Sequence, residues 1–264
     1  VRKIRKAMNK GFGKDKQSKE LNLRAMAQEF MDGLQRHADM LAFNLASRES
    51  VQEKDYKKRS AAPQIMPSGK RHQNFEQMQA YARDLLVRQV INDCLGLAVT
   101  ALNNSHFFFS LLKESKGSSN FDAETQKIAE ERHHHFLSAP IDVKFELLQQ
   151  NYGVGSDSQT TILNLVIALK ALIENNGILK SQMFPEGVNP ILEIDLKRLE
   201  IEPTKNEAGQ PMGRIVNDRK LFRDGEAIVF SDLEIQRTLV TIASFADALF
   251  KSVAGYAQSF NKKS

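Results

Sequence analysis

Three consecutive histidines are the residues of this chain best suited to chemistry. His133, His134 and His135 follow Arg132, and Glu130 precedes His133 by three residues. Di-metal carboxylate bundles use this Glu-to-His spacing for two ligands on one helix, together with a second such pair on a facing helix. The chain has no Glu-x-x-His pair outside this run. The sequence therefore favours a solvated helix face over a metal site, and it predicts no metal and no cofactor.

Other catalytic patterns are missing from the sequence, which has no Gly-x-Ser-x-Gly motif and no glycine-rich phosphate loop. The single cysteine, Cys94, excludes an internal disulfide framework and predicts an inert, buried thiol in a reducing compartment. No stretch approaches the roughly 18 uninterrupted apolar residues of a membrane span. We therefore expect a soluble, cytoplasmic protein that has no membrane partner.

The net charge of +5 is unevenly distributed along the chain. Residues 1–19 carry eight basic residues against Asp15 alone, and a second basic cluster begins at Lys54. The basic residues with which the chain could bind RNA are Arg2, Lys3, Arg5, Lys6, Lys10, Lys57, Lys58 and Arg59. Because lysine runs without interleaved aromatic residues are a weak nucleic-acid signal, the favoured interpretation is a solubilising tail and a solvated loop, with RNA binding as the alternative.

The periodicity of apolar residues predicts a long first helix from Lys19 to about Ser50, followed by a long, mobile connection that ends at residue 73. Asn74 is the expected N-cap of a second helix, which extends to about Lys116 with a break near residues 103–105. Asp122 opens a third helix, and Pro140 starts a short fourth one.

Residues 156–179 read as the central helix of a bundle, with Ser156 as its N-cap and Gly177 as its stop. After it, short strands are expected at 191–201, and a hairpin is expected in which 213–222 pairs with 226–230 through a turn at Asp224-Gly225. Ser231 and Glu234 form a capping box for the last helix.

These elements predict a mainly α fold, a helical bundle with a small β hairpin before its C-terminal helix. Residues 1–19 are expected to form a flexible basic arm, and 20–264 a single domain with a β insertion at about 190–230. With 41% hydrophobic residues, the chain can supply the core of such a domain.

The residues from 136 to 179 resemble the HEPN superfamily, small helical bundles of prokaryotic defence and toxin–antitoxin systems. The resemblance is carried by FLSAPIDVKFELLQQNYGV and by ILNLVIALKALIENNGIL, whose Asn-Asn-Gly-Ile ending looks like the family context RNxxxHRNGI. The resemblance implies a helical bundle that dimerises and cleaves RNA without a metal. In that reaction a histidine transfers a proton and an arginine steadies phosphate charge.

The family's catalytic residues are replaced in this chain. The arginine position falls on Leu169, the asparagine position on Lys170 and the histidine position on Glu174. A leucine cannot stabilise phosphate, and a glutamate repels it. Lys170 and Glu174 stand four residues apart, a spacing that favours an ion pair along the helix.

The sequence therefore predicts a catalytically degenerate HEPN-like protein. It is expected to act by protein–protein binding, as a homodimer or within a defence or toxin–antitoxin assembly, and to bind RNA through its basic segments as a further possibility. An enzyme is the less favoured class. In the alternative hypothesis the chain is an active, metal-independent RNase that uses Arg132 with His133, His134 or His135.

Overall fold

A computed structural model describes residues 23–60, 74–116, 122–205 and 211–261. These residues form seven α-helices and one antiparallel hairpin, which confirms the predicted bundle with a small β element before the last helix. The helices are α1 (Leu23–Ser50), α2 (Glu53–Ser60), α3 (Phe75–Glu114), α4 (Ala123–Ser138), α5 (Ile141–Tyr152), α6 (Gln159–Glu174) and α7 (Asp232–Asn261). The strands are β1 (Ile191–Lys205) and β2 (Pro211–Arg223). The predicted basic arm, residues 1–19, lies outside the described residues.

Three predicted helix starts are confirmed by their capping hydrogen bonds. The Asn74 side chain accepts a hydrogen bond from the backbone N–H of Gln77 at 2.8 Å, and Asp122 caps α4 in the same way. At α7, the Ser231 N–H donates to Glu234 Oε2 at 2.6 Å, while the Glu234 N–H donates to Ser231 Oγ at 3.2 Å. Each cap satisfies backbone donors that have no partner inside the helix.

Two local predictions were wrong. The second helix does not break at residues 103–105, because the Asn103 side chain accepts a hydrogen bond from Lys144 and Ser105 is enclosed between helices. Tertiary packing thus outweighs the weak helix propensity of these polar residues. The connection after α1 contains the short helix α2, whose first turn is acidic, whose last turn is basic, and whose Lys57 pairs with Glu53 at 2.7 Å.

The central helix of the bundle is α3, which contacts α1, α4, α5, α6 and α7. The prediction that residues 156–179 hold this position was wrong. The helix in that stretch, α6, begins at Gln159, two residues later than a Ser156 cap would set it, and packs on α3, α5 and β1. Its predicted end is confirmed, because Gly177 adopts a φ of +80° and its N–H donates to the Ala171 carbonyl at 2.9 Å.

The hairpin joins β1 to β2, and not 213–222 to 226–230 as predicted. Ile191 lies opposite Arg223, and Leu199 lies opposite Ile215. The Asp224-Gly225 turn is present, but the segment after it pairs with the end of the α6 region, where the Ile228 N–H donates to the Gly177 carbonyl at 2.7 Å. The inner face of β1 buries three aliphatic side chains against α6 and α7, and this long-range packing selects β1 as the partner of β2.

Two helices, α3 and α7, are long and apolar enough to cross a membrane by length and composition. Their most apolar windows are 44% and 50% buried inside the protein. Core helices of soluble proteins pass the same test, so the apolar character of α3 and α7 agrees with their place in the core and does not contradict a soluble protein.

Candidate functional site

The Arg132-to-His135 run lies on α4, and the helix separates its members. Arg132 forms an ion pair with Glu114 of α3. His133 is half-buried against α3, whereas His134 and His135 are exposed. Only Arg132 and His133 therefore meet residues from another helix, and the three predicted histidines do not form one site.

His133 lies against His106 of α3, a histidine outside the Arg132-to-His135 run. The Nδ1 atoms of His106 and His133 are 3.4 Å apart, and the His106 ring stacks on Phe136 with a centroid separation of 4.0 Å. His106 is only 4% exposed. It lies 27 residues from His133 in sequence, on another helix, so no local spacing could have revealed the pair.

Burial keeps both imidazoles neutral. Desolvation, reinforced by the neighbouring His133 and Lys144, lowers the pKa of His106 to about 3. Desolvation, with Lys144 and His134 nearby, lowers the pKa of His133 to about 4. A charged imidazole is disfavoured at this place because it would lose water and face other cations. At neutral pH the pair can share one hydrogen bond, but it holds no proton that is ready to be donated as an acid.

Lys144 of α5 lies beside these rings and is only 2% exposed. Its Nζ donates to Asn103 Oδ1 at 3.0 Å, to the Leu137 carbonyl at 3.1 Å and to the Phe136 carbonyl. An ammonium group has three donors, and here all three are used. Lys144 therefore satisfies carbonyls at the C-terminus of α4, and it has no donor left for a phosphate group.

Tyr152 and Ser110 complete this polar cluster between α3, α4 and α5. Their hydroxyl oxygens are 2.8 Å apart, and burial raises the pKa of Tyr152. The cluster thus consists of groups that bind one another. Within the described residues, no group of three or more His, Cys, Asp or Glu side chains could hold a metal ion.

Cys94 is fully buried in α3, as predicted. Burial raises the pKa of its thiol to about 12, so the reactive thiolate is scarce at neutral pH. This agrees with the inert thiol expected from the sequence.

The three positions that replace the family's catalytic residues lie on α6. Leu169 is half-buried and packs against the core, while Lys170 and Glu174 are exposed. The ion pairs found among the described residues do not include the one predicted between Lys170 and Glu174. Ile173, between them, is 58% exposed. This part of α6 therefore presents an open surface without a cluster of catalytic groups.

The basic residues proposed for RNA divide between two regions. Arg2, Lys3, Arg5, Lys6 and Lys10 lie outside the described residues. Lys57, Lys58 and Arg59 are exposed on α2, where Lys57 is paired with Glu53. The structure therefore brings only this second cluster to a defined surface.

A second polar cluster ties three helices together. Arg48 of α1 donates to both carboxylate oxygens of Asp232 in α7, at 2.5 and 3.3 Å. Arg83 of α3 lies 3.4 Å from the same carboxylate and donates to the Phe230 carbonyl at 2.7 Å. The two arginines lower the pKa of Asp232, and with Glu49 they line an open cavity of about 420 Å³. The two acidic groups offset the two arginines, which favours a structural role over capture of an anion.

The outward face of the hairpin exposes three aliphatic side chains that lie next to one another. Leu199 is 60% exposed, Ile201 67% and Ile215 53%, and we call these three residues the hairpin patch. Leu199 and Ile215 are directly opposite, and Ile201 is opposite Gly213. A Cβ atom on Gly213 would lie only 2.9 Å from Leu199 Cδ1, so the leucine side chain extends over the glycine. Alternation along a strand predicts such a face, but only the correct strand pairing places the three side chains together.

Comparisons of the chain with protein-family models, with curated proteins and with solved structures find no match.

Proposed function

We propose that this protein acts by binding another protein through the hairpin patch, and not by catalysis. The observation that carries the proposal is the exposure of three adjacent aliphatic side chains, each more than half accessible, at one end of a two-stranded arm. Single exposed aliphatic residues are common on soluble proteins, whereas clustered ones mark surfaces that contact other molecules.

The state of the polar groups supports a role without catalysis. Arg132 is bound to Glu114, Lys144 has all its donors occupied, and His106 and His133 are neutral and packed against each other. A catalytic acid or base needs a pKa near the working pH and access to its substrate. The His106 and His133 pair lacks that pKa, and His106 lacks the access.

The resemblance of residues 136–179 to HEPN proteins supports a more specific proposal. According to this proposal, the protein is a cytoplasmic, HEPN-like subunit that lacks the family's catalytic residues and belongs to a prokaryotic defence or toxin–antitoxin assembly. RNA contact through the basic residues of 1–19 and α2 is an addition to that role. Such RNA contact is recognised by an affinity for RNA that falls steeply as the salt concentration rises, because phosphates that bind the protein release their counterions.

In-cell photo-cross-linking tests the binding proposal. A photoreactive amino acid at Ile201 is expected to give a covalent protein adduct, because that side chain is the most exposed of the hairpin patch. The same amino acid at Glu29, an exposed position on α1, is the matched control. Equal yields at the two positions, or no protein adduct at Ile201, would contradict the proposal.

One observation favours a second candidate function, a metal-independent RNase. Arg132 and His133 lie at the edge of the cluster that contains His106 and the Ser110–Tyr152 pair, and Arg132 remains 46% exposed. Pure protein is incubated with labelled single-stranded RNA, with and without EDTA. Cleavage that survives EDTA and is lost in His133→Ala would establish the RNase and refute the non-catalytic role. Separate His134→Ala and His135→Ala variants show which histidine is responsible.

A further inference from the structure

We infer that the hairpin also joins two copies of this chain, through an antiparallel pairing of β2 with the β2 strand of the partner subunit that leaves the outward face of each hairpin patch open to the bound protein. This inference rests on the proposed binding function and adds to it a dimer that doubles the binding surface, together with the register of the contact between the two copies. The two-fold axis passes through Val216.

In the described part of the chain, the hairpin has one open strand edge. The sheet has two strands, so within the described part of the chain β2 has no neighbour on its outer edge. The outer side of β1 is covered, because Asn164 of α6 donates to the Glu193 carbonyl at 2.6 Å and the Lys197 N–H donates to Thr241 Oγ1 of α7 at 2.8 Å. An added strand can therefore extend the sheet only at β2. Pairing two β2 strands leaves a four-stranded sheet whose outer edges are both covered.

The charge pattern along β2 selects the register of the pairing. A two-fold axis perpendicular to the sheet places side chains of the same face opposite each other. An axis at Asp218 sets two carboxylates opposite, and an axis at Asn217 sets Arg214 opposite the partner's Lys220. An axis at Val216 instead sets Arg214 opposite the partner's Asp218, and the symmetry repeats this favourable pair.

The local ion pairs on this face are compatible with that register. Arg214 binds Glu200 at 2.9 Å, while Asp218 binds Arg237 at 2.6 Å and Arg198 at 3.2 Å. Asp218 is thus already the shared acceptor of two arginines within each copy. Each Asp218 has two oxygens that accept several hydrogen bonds, so a further guanidinium group from the partner extends an existing network.

The hairpin patch lies next to the two-fold axis in this register. Ile215 is next to Val216, so the two copies of Ile215 are diagonal neighbours on the outward face, a separation that long aliphatic side chains bridge. Leu199 lies opposite Ile215 within each copy. The two hairpin patches therefore become one continuous apolar surface across the axis. A single edge-to-edge contact is small, so we expect a dimer that dissociates at micromolar concentrations.

Disulfide trapping in the full chain tests this register. Val216→Cys places two sulfurs at the axis, where directly opposite Cβ atoms lie about 5 Å apart, so mild oxidation is expected to produce a covalent dimer. Leu221→Cys is the matched control, since it is exposed and five residues from the axis, about 33 Å from its own copy at strand spacing. The natural Cys94 is buried and gives little background.

Sedimentation of the unmodified chain over a concentration series is measured in parallel. A rising dimer fraction, with at least tenfold more cross-linking for Val216→Cys than for Leu221→Cys, is the expected result. A monomer at all concentrations, or equal cross-linking at the two positions, overturns the inference. If the chain is a monomer and Ile201 still cross-links to a different protein in cells, the second-copy inference fails while the binding function stands.

Discussion

The stability of this protein is expected to fall on mild acidification because of the buried His106. In the folded state the pKa of His106 is lowered to about 3, whereas its ordinary value is 6.5. Between pH 6.5 and about pH 3, His106 is therefore mostly protonated in the unfolded chain and mostly neutral in the folded chain. Because the unfolded state binds more protons in this window, the free energy of unfolding decreases as the pH falls.

The magnitude follows from these two pKa values. Between pH 8 and pH 5 the linkage relation gives a loss of about 2 kcal/mol from His106 alone. His133, with a pKa lowered to about 4, acts in the same direction, although its partial exposure to solvent reduces the effect. A loss of about 2 kcal/mol is a large share of the 5–15 kcal/mol typical of a domain, so it is easily measured.

Urea unfolding at pH 8, 7, 6 and 5 measures the effect in the wild type and in His106→Leu. The leucine variant keeps an apolar side chain against Phe136 and has no group to protonate. Its stability is expected to change with pH by about 2 kcal/mol less than that of the wild type over the same range. His135→Leu, at an exposed position of α4, is the matched control and should keep the wild-type pH dependence.

The comparison between variants removes the contribution of carboxylates, which titrate in all three proteins. If His106→Leu and the wild type lose the same stability between pH 8 and pH 5, the burial of a neutral imidazole at this position is refuted. If His135→Leu loses the pH dependence instead, the sensitive group is on the surface of α4.

Three further predictions concern other parts of the molecule. Replacing Lys144 by Met leaves buried carbonyls without a donor, so the free energy of unfolding measured in urea should fall by about 2 kcal/mol. Lys170→Met, at an exposed position, is the control and should change the free energy of unfolding by less than about 0.5 kcal/mol. A double-mutant cycle with Arg48→Gln and Asp232→Asn should give a coupling of about 1 kcal/mol that weakens in high salt, and no coupling would show that the ion pair is not formed in solution. Deleting residues 1–19 should leave the yield of the Ile201 cross-link unchanged but reduce the amount of RNA that the protein retains on a filter at low salt. Loss of the cross-link would instead place the protein-binding surface in the N-terminal segment.

Elements with strong local signals could be predicted from the sequence. The Ser231 and Glu234 capping box and the Asn74 cap mark helix starts because each cap is a contact within four residues. The break predicted near Asn103 failed for the opposite reason, since its hydrogen bond comes from Lys144 on another helix, 41 residues away. Local propensity cannot report a partner that only the fold brings near.

The candidate sites also depend on contacts between distant segments, which the local sequence does not predict. The sequence singled out His133 by its neighbours in the chain, but its contact with His106 depends on how α4 packs on α3. The hairpin patch was missed because the turn at Asp224 suggested a different partner for β2, and a wrong partner separates Leu199 from Ile215. Strand pairing between distant segments is decided by burial of their shared face, which no short window of sequence contains.

The central claim is that this protein binds another protein through the hairpin patch. It is tested most directly by comparing the yield of the Ile201 cross-link when the other two patch residues are intact with the yield when both are replaced. Replacing Leu199 and Ile215 together by Ser removes apolar surface from the patch without changing its backbone. Their burial at an interface is worth enough that binding, and with it the adduct, is expected to fall about tenfold or more. The melting temperature, measured alongside, is expected to remain near that of the wild type because both side chains are exposed. An adduct yield that is unchanged in this variant would contradict the claim that the hairpin patch is the binding surface.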